Sequence, residues 1–385
     1  MTLADSFRAI VGDVNVSESE IDKMVYSSDA SRQKGNTHLI VWPSSVEQVH
    51  KVIMLARRGN VALMPRGAGT GMGNAVPEND VVVDVSKLNN ILNISEQFAD
   101  VEAGVALQDL NKAIGSKFFP VQPESKKACT IGGMVASNAI GVKAMEFGRM
   151  ANWVEEVTIV DGNGMCLKLK GDALKHVIGM EGTTGIIVSA KLKILDREDQ
   201  KSISMLSFNT LTAMQEKLEE LRNNPAVRNI EFLDDLCSEI LGFAPKLHFI
   251  VEYEGSEGTL KEAEAREVWA ARENLPFMLG QKRHLVADDL LLPFESLPKF
   301  LHLLRKDNVP CYGPIGLGIV YPVFREDSSM IERFRGLYKQ FGAKLGVKYG
   351  HGRRKNTVSD EKAKRVIELK AHYDSKNLFS RGKLI

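Results

Sequence analysis

The run Pro65-Arg66-Gly67-Ala68-Gly69-Thr70-Gly71-Met72-Gly73-Asn74 places glycine at every second position. Residues without side chains let successive backbone N–H groups converge on one anion, and they adopt positive φ without strain. A pyrophosphate suits such a loop. The spacing disfavours two commoner phosphate binders: a G-x-G-x-x-G dinucleotide pattern would need glycine at Met72 or Asn74, and no G-x-x-x-x-G-K-[ST] run occurs. Two further small-residue segments follow, one from Ser125 through Thr130, Gly132 and Gly133 to Ser137 and Asn138, the other from Gly179 through Glu181, Gly182 and Gly185 to Ile187. In the first, Thr130 or Cys129 could open a helix whose N-terminus points at anionic oxygens. Each segment alone reads as a turn or a packing site, but three in order are hard to explain that way.

Two further side chains, His351 and Arg272, are of types that can do chemistry, although residue type alone assigns neither to a site. His351 stands between Gly350 and Gly352, and an imidazole, with its unperturbed pKa of ~6.5, can take a proton near neutrality. On residue type alone, a histidine between glycines reads as a loop residue. Arg272 offers a planar guanidinium that can hold a carboxylate bidentately. It also sits in a charged stretch with Lys261, Glu262, Glu264, Arg266 and Glu267, where a surface arginine is the plainer reading.

Periodicity supplies the elements that must position these groups. Residues 38–42, 61–64 and 81–85 read as strands, with a helix between the first two. Ser45 and Gln48 form a capping-box pattern at its start, Val46, Val49, Ile53 and Ala56 share one face, and Gly59 follows Arg57 and Arg58 at its end. That is a β-helix-β unit leading into the glycine loop. Residues 154–160 and 165–169 flank Asp161-Gly162-Asn163-Gly164, a hairpin signal, and 186–195 reads as another strand. The charge run Asp196-Arg197-Glu198-Asp199-Gln200-Lys201 then marks a domain boundary. Beyond it, strands at 202–208, 228–233, 247–253 and 316–323 alternate with helices at 211–222 and 260–272, which suggests a smaller sheet covered on one face. A last helix spans 360–372.

A chain of 385 residues has room for two domains and an enclosed cofactor. Its net charge of +1, without a run of Lys and Arg interleaved with aromatics, makes nucleic acid a poor partner. Cys129, Cys166, Cys237 and Cys311 show neither a C-x-x-C pair nor zinc-finger spacing and read as reduced thiols. No stretch approaches the roughly 20 apolar residues of a membrane span, and the N-terminus lacks a secretory pattern, so a cytoplasmic protein, or one peripheral at the membrane surface, is expected.

Six motifs resemble, in order, those of the FAD-binding PCMH-type (vanillyl-alcohol oxidase) family, in the branch that holds the flavin-carrying GlcD chain of glycolate oxidase together with D-lactate dehydrogenase and D-2-hydroxyglutarate dehydrogenase. They are Tyr26-Ser27-Ser28-Asp29-Ala30-Ser31 with Pro43, Pro65-Arg66-Gly67-Ala68-Gly69-Thr70-Gly71, Val83-Asp84-Val85-Ser86-Lys87-Leu88-Asn89, Glu102-Ala103-Gly104-Val105, Thr130-Ile131-Gly132-Gly133 and Glu181-Gly182-Thr183-Thr184-Gly185-Ile186-Ile187. Looser matches follow at Glu231-Phe232-Leu233-Asp234, Trp269-Ala270-Ala271-Arg272-Glu273 and Asp288-Asp289-Leu290-Leu291-Leu292-Pro293. The resemblance implies an α+β fold: a two-subdomain FAD-binding domain over 1–197, an α+β, ferredoxin-like cap over 198–343, and a segment, 344–385, returning to the flavin domain. It implies a cofactor held by Arg66, Gly67, Ala68, Gly69, Thr70, Gly71, Ser125, Thr130, Gly132, Gly133, Ser137, Asn138, Glu181, Gly182, Gly185, Ile187 and Asn377. Neither His nor Cys occurs in the loop, so the FAD is expected to be noncovalent. It also implies a small 2-hydroxy acid as substrate, oxidised as hydride passes to flavin N5, with His351 as the base and Arg272 on the carboxylate. The flavin does the hard chemistry. Electrons would leave to a quinone, a cytochrome, an iron–sulfur protein or an electron-transfer flavoprotein, with association at a membrane or in a complex as one route to that acceptor.

The pattern breaks at one place. Metal-dependent relatives carry Gly-His-x-Gly-Asp-Gly-Asn-x-His, where this chain has Gly313-Pro314-Ile315-Gly316-Leu317-Gly318-Ile319-Val320-Tyr321, and Gly350 replaces the glutamate beside the histidine. With those donors gone, no metal site of that type is expected. Ala287 stands where a lysine is expected, with Lys282 and Arg283 nearby, and in the tail Asn377, Gly382 and Lys383 of its motif remain. A metal-independent 2-hydroxy-acid dehydrogenase is therefore the leading expectation. A flavin-carrying electron-transfer subunit without its own substrate site, and an oxidase of another alcohol or lactone, stand beside it.

Overall fold

The computed structural model describes residues 1–31, 33–72, 75–196, 201–286, 288–325, 328–346, 350–352 and 358–384. The chain divides into two compact units: Met1–Gly141, Arg149–Arg197 and Lys348–Ile385 make the first, and Val142–Gly148 with Glu198–Val347 the second. Most of the expected boundary run, 197–200, lies outside the described residues.

In the first unit, β1 (Val16–Ser17), β2 (Asn36–Val41), β3 (Leu63–Arg66) and β4 (Glu78–Asp84) form a sheet in the order β1-β2-β4-β3, with β4 parallel to both its neighbours. The expected β-helix-β unit is present, but its two strands are not adjacent. Val81, Val82 and Val83 of β4 are fully buried, a continuous β-branched run suited to a strand covered on both faces, and β4 takes the central place. The helix Val46–Gly59 buries Val49, Val52, Ile53 and Ala56. Ser45 Oγ caps it by accepting from Gln48 N, while the Gln48 side chain accepts from Ser44 N instead of closing the box on Ser45. Left-handed Asn60, at φ 51°, ends it one residue beyond Gly59.

A second, antiparallel sheet runs β5-β6-β10-β8-β9, built from β5 (Ile91–Ile94), β6 (Phe98–Glu102), β8 (Val154–Val160), β9 (Cys166–Lys170) and β10 (Ile186–Lys193), while β7 (Lys117–Phe118) pairs with β11 (Leu195–Asp196). The expected hairpin joins β8 to β9, and Asp161 Oδ1 secures its turn by accepting from Asn163 N and Met165 N. After the helix Asp360–Tyr373 the chain returns to β3. The Asp374 carboxylate accepts from Leu378 N, Phe379 N and Lys370 Nζ, and Leu63 N donates to Leu378 O while Ser380 N donates to Leu63 O. The tail is thereby fastened beside the strand that delivers the glycine loop.

In the second unit, β12 (Lys201–Phe208), β13 (Val227–Leu233), β14 (Leu247–Glu254), β16 (Leu290–Leu291), β17 (Cys311–Gly313), β18 (Ile319–Arg325) and β19 (Lys344–Leu345) follow the order β12-β14-β13-β17-β18-β16-β19, and β15 (His284–Val286) pairs with β18. Phe232, Phe249 and Val320 pack with Met214, Leu218, Phe300, Leu304 and Phe334, which come from the helices Leu211–Asn223, Leu297–Lys306 and Met330–Tyr338. Side chains alternate along a strand, so Asn229 and Glu231 point away from that core, to the side where Arg272 of the helix Glu262–Gln281 meets Glu231. The sheet is thus covered on both faces, not one. The expected helix at 260–272 continues to Gln281 through Pro276. The expected strand at 316–323 starts only at Ile319, because 315–317 forms a short 3-10 turn ended by Gly318 at φ 75°. Among the described residues no helix is long and apolar enough to cross a membrane.

Candidate functional site

The glycine loop leaves β3 braced by its own first residue. Arg66 Nη1 donates to the carbonyls of Tyr26 (3.2 Å), Ser28 (2.8 Å) and Ala75 (3.1 Å), and the guanidinium lies 5.0 Å from the Tyr26 ring centroid. Asp29 Oδ2 accepts from Ala75 N, and Ala30 N donates to Gly69 O. Arg66 therefore shapes the loop and lends it positive charge, with its Nη1 donors spent on the chain itself. Two glycines have no alternative: a Cβ on Gly67 would lie 2.2 Å from Thr130 Oγ1, and one on Gly69, at φ 66°, would lie 2.2 Å from the Arg66 guanidinium. Ala68, Gly69, Thr70 and Gly71 donate no backbone hydrogen bond to any described residue, so their N–H groups are free for solvent or an anion. A flavin pyrophosphate fits this cradle by the chemistry of its donors. Gly73 and Asn74 lie outside the described residues.

Thr130, not Cys129, opens the helix Ile131–Ser137, and its Oγ1 accepts from Gly133 N at 3.4 Å. The helix N-terminus does not serve as an anion site. Ile131 N donates to Val105 O and Gly132 N to Ala103 O, so the first donors are already taken. Gly132 is needed for this contact, because a Cβ there would stand 2.7 Å from that of Ala103. Ser137 Oγ returns to Gly133 O at 2.9 Å, Asn138 ends the helix at φ 51° and accepts from Ala151 N, and the Ser125 carbonyl closes a turn on Ala128 N and Cys129 N. Burial pushes the Cys129 thiol up to about 11, which keeps it protonated and unreactive.

The third segment joins these parts. Glu181 N donates to Ala136 O in that helix, and a Cβ on Gly182 (φ 71°) would lie 3.4 Å from Pro65 Cγ at the head of the loop. Glu181 itself holds φ 52°, which for a residue with a side chain costs about 1–2 kcal/mol. Its carboxylate accepts two backbone donors at 2.7 Å each, His351 N and Gly352 N. His351 is thereby placed, buried, against the same segments that form the cradle. Gly185 (φ 156°) passes close to Val160 O, and Ile187 lies in β10 opposite Ile159. Asn377 is an exposed turn residue at φ 50°, and its side chain makes no hydrogen bond to the described residues of the loop. Tyr349 lies outside the described residues.

In the second unit, Arg272 and Glu231 are each 1 % exposed; Glu231 Oε2 accepts from Arg272 Nε at 2.9 Å and lies 2.8 Å from Nη2. The guanidinium also lies 4.7 Å from the Tyr312 ring centroid, and Tyr321 packs edge-on to Tyr312 at 5.3 Å. The charge expected to hold a substrate carboxylate is thus matched by a carboxylate of the chain. Lys282 and Arg283 are exposed, and Ala287 lies outside the described residues.

A family model described as an FAD binding domain matches residues 37–170, the span containing the glycine loop and the helix Ile131–Ser137. The chain thus carries an FAD-binding domain of the PCMH type over these residues. Glycolate oxidase subunit GlcD of Bacillus subtilis is 23% identical to this flavoprotein over 97% of the chain and 95% of that protein, and the probable mitochondrial D-lactate dehydrogenase of Danio rerio is 23% identical over 100% and 91%. A D-2-hydroxyglutarate dehydrogenase of Xanthomonas citri is 30% identical over 56% of the chain, and the match spans only about half, 49%, of that relative. The fold is that of alkyldihydroxyacetonephosphate synthase, with a TM-score of 0.72 over 95% of this chain and 82% of that one at 16% identity.

Two structural roles near the loop are not apparent from sequence. Asp29 stands there only as part of a motif, although Asp-x-Ser signals the side-chain turn it makes, with Oδ1 accepting from Ser31 N and Oγ. Glu181 is expected to hold the cofactor. That its carboxylate is taken by residues 170 positions away has no local signal.

Proposed function

We propose that this flavoprotein oxidises a small 2-hydroxy acid to the 2-oxo acid without a metal. In this reading the first unit would be the flavin-binding domain and the second the cap domain. The open N–H groups of Ala68, Gly69, Thr70 and Gly71, with Gly67 and Gly132 permitting close approach, would hold the FAD pyrophosphate noncovalently, while Thr130, Gly133, Ser137, Asn138, Gly182, Gly185 and Ile187 shape the surrounding wall. Bound FAD would supply a two-electron acceptor, taking hydride at N5. His351 takes the hydroxyl proton of the substrate, which the loss of hydride from the same carbon requires. The observation that supports the reading is the bond from the buried His351 backbone to Glu181, whose own main chain is tied to the helix Ile131–Ser137. Arg272 reaches a substrate carboxylate only in competition with Glu231, so Glu231 tunes how well an acid binds.

Anaerobic mixing with D-2-hydroxy acids tests the proposal. The flavin absorbance should bleach, and His351→Ala should stop the bleaching while FAD stays bound; equal bleaching by the variant overturns it. The matched charge of Arg272 favours a second reading, a flavin-carrying electron-transfer subunit within a larger complex. Turnover of any hydroxy acid by the isolated chain with a dye acceptor excludes that role. The acceptor class, whether quinone, cytochrome, iron–sulfur protein or electron-transfer flavoprotein, and any docking at a membrane follow from which of these oxidises the reduced protein.

A further inference from the structure

We propose that Glu181 is a positioning residue, whose carboxylate fixes the backbone of His351 to the helix Ile131–Ser137 and so sets the aim of the imidazole. The inference rests on the reading of His351 as the base.

The geometry is that of a two-ended strut. At one end the Glu181 main chain is bonded to Ala136 O of the helix Ile131–Ser137, and its carbonyl, with that of Gly182, accepts from Ser380 Oγ in the tail. At the other end, Oε1 accepts from His351 N and Oε2 from Gly352 N, both at 2.7 Å. Gly350 and Gly352 hold φ 73° and 55° on either side of His351, and a bend of this kind turns consecutive N–H groups toward one anion. Both carboxylate oxygens are therefore used, each on a different residue of the histidine loop. Leu384 N adds a bond to Gly352 O, and Met180 packs with Val366 and Leu384. Lys362 is one cation that senses Glu181: burial pulls its pKa down, and the Glu181 charge opposes that shift.

The backbone of Glu181 argues for the side chain. At φ 52° a glycine would be the relaxed choice, and the neighbours Gly179 and Gly182 are glycines at φ 75° and 71°. A glutamate in that conformation, 5 % exposed, does a task that glycine cannot. The task visible in the structure is the pair of charge-assisted bonds to 351 and 352.

The test uses Glu181→Gly, which suits the backbone and protects folding, and Glu181→Asp, which keeps two oxygens on a shorter arm. FAD content, hydrogen exchange of the 351 and 352 amides, and anaerobic flavin reduction are measured on each holoprotein. In Glu181→Gly, FAD should remain bound, exchange at both amides should rise by about 100-fold, and the limiting reduction rate should fall by roughly 10- to 100-fold with KM changed less than about threefold; these sizes correspond to losing one or two oriented hydrogen bonds. Glu181→Asp should recover part of both. Unchanged exchange overturns the strut. Raised exchange with an unchanged rate, while His351→Ala abolishes reduction, overturns the positioning role. An unchanged rate in His351→Ala as well removes the base reading on which the inference rests.

Discussion

The buried pair Arg272–Glu231 makes a quantitative prediction because both side chains are 1 % exposed and meet through two short N···O contacts. Replacing one member of a buried ion pair strands the other charge and costs about 3–5 kcal/mol, whereas replacing both by apolar residues of similar size is often neutral or stabilising by about 1–4 kcal/mol. A unit of this size shifts its melting temperature by about 2–4 °C per kcal/mol. Arg272→Met and Glu231→Leu should therefore each lower the transition of the second unit by about 6–20 °C. The double variant should melt near or above the parent. Trp269 lies in the same helix as Arg272, so with Trp42 and Trp153 of the first unit replaced by Phe its emission reports this unit, while flavin emission reports the other. The reasoning is refuted if Arg272→Met melts within about 2 °C of the parent, because a loss below ~1 kcal/mol belongs to exposed pairs. The same series tests substrate binding. If a hydroxy-acid carboxylate competes with Glu231 for Arg272, Glu231→Gln should lower KM for the acid and leave KM for a neutral alcohol unchanged.

Gly67→Ala should weaken FAD by about 30- to 1,000-fold in a flavin titration. Displacing the Thr130 cap costs about 1 kcal/mol and overpacking about 1–3 kcal/mol; Gly336→Ala, which meets nothing within 4 Å, is the control, and equal affinity in the two variants would remove the close-approach argument. Tyr26 donates to Asp84 at 2.5 Å, and burial first, then that bond, push its phenol up to about 12 from 10.0. The folded state then holds a proton that the unfolded state has released between those values, so this contribution to stability is present below pH 10.0 and is lost as pH rises to about 12. Tyr26→Phe should flatten unfolding free energy against pH across that window, and a slope equal to the parent's would place the effect elsewhere.

Local features of the sequence were enough for the elements around the cradle. Ser45, the buried face of its helix and the Asp161 turn announce themselves within a few residues, because caps and hairpins are short-range chemistry. The order of the parallel sheet was not legible, since nothing near Val81 says that it inserts between β2 and β3; only its continuous apolar run hints at a central place. Helices 297–306 and 330–338 have no side-chain N-cap bond to mark their starts, so their core residues Phe300, Leu304 and Phe334 are the remaining local signal. In the site, the glycines were legible by type, whereas Arg66, Thr130 and Glu181 were recognised without the partners that decide what each does. Partners such as Ser28 for Arg66 and His351 for Glu181 lie 38 and 170 residues away, and hydrogen bonds at such separation leave no periodic trace.

The bonds between Leu63 and residues 378–380 have a consequence for how the protein is made. The second unit is nearly continuous in sequence and can fold as it emerges, but β3, from which the cofactor loop springs, stays an open sheet edge until residue 380 has been synthesised. Until then the edge is a template for a strand of another chain. Chains stopped before residue 378 should accumulate as apo, aggregation-prone protein even though every residue of the glycine loop is already present, and loading of the flavin is timed by the tail and not by the loop.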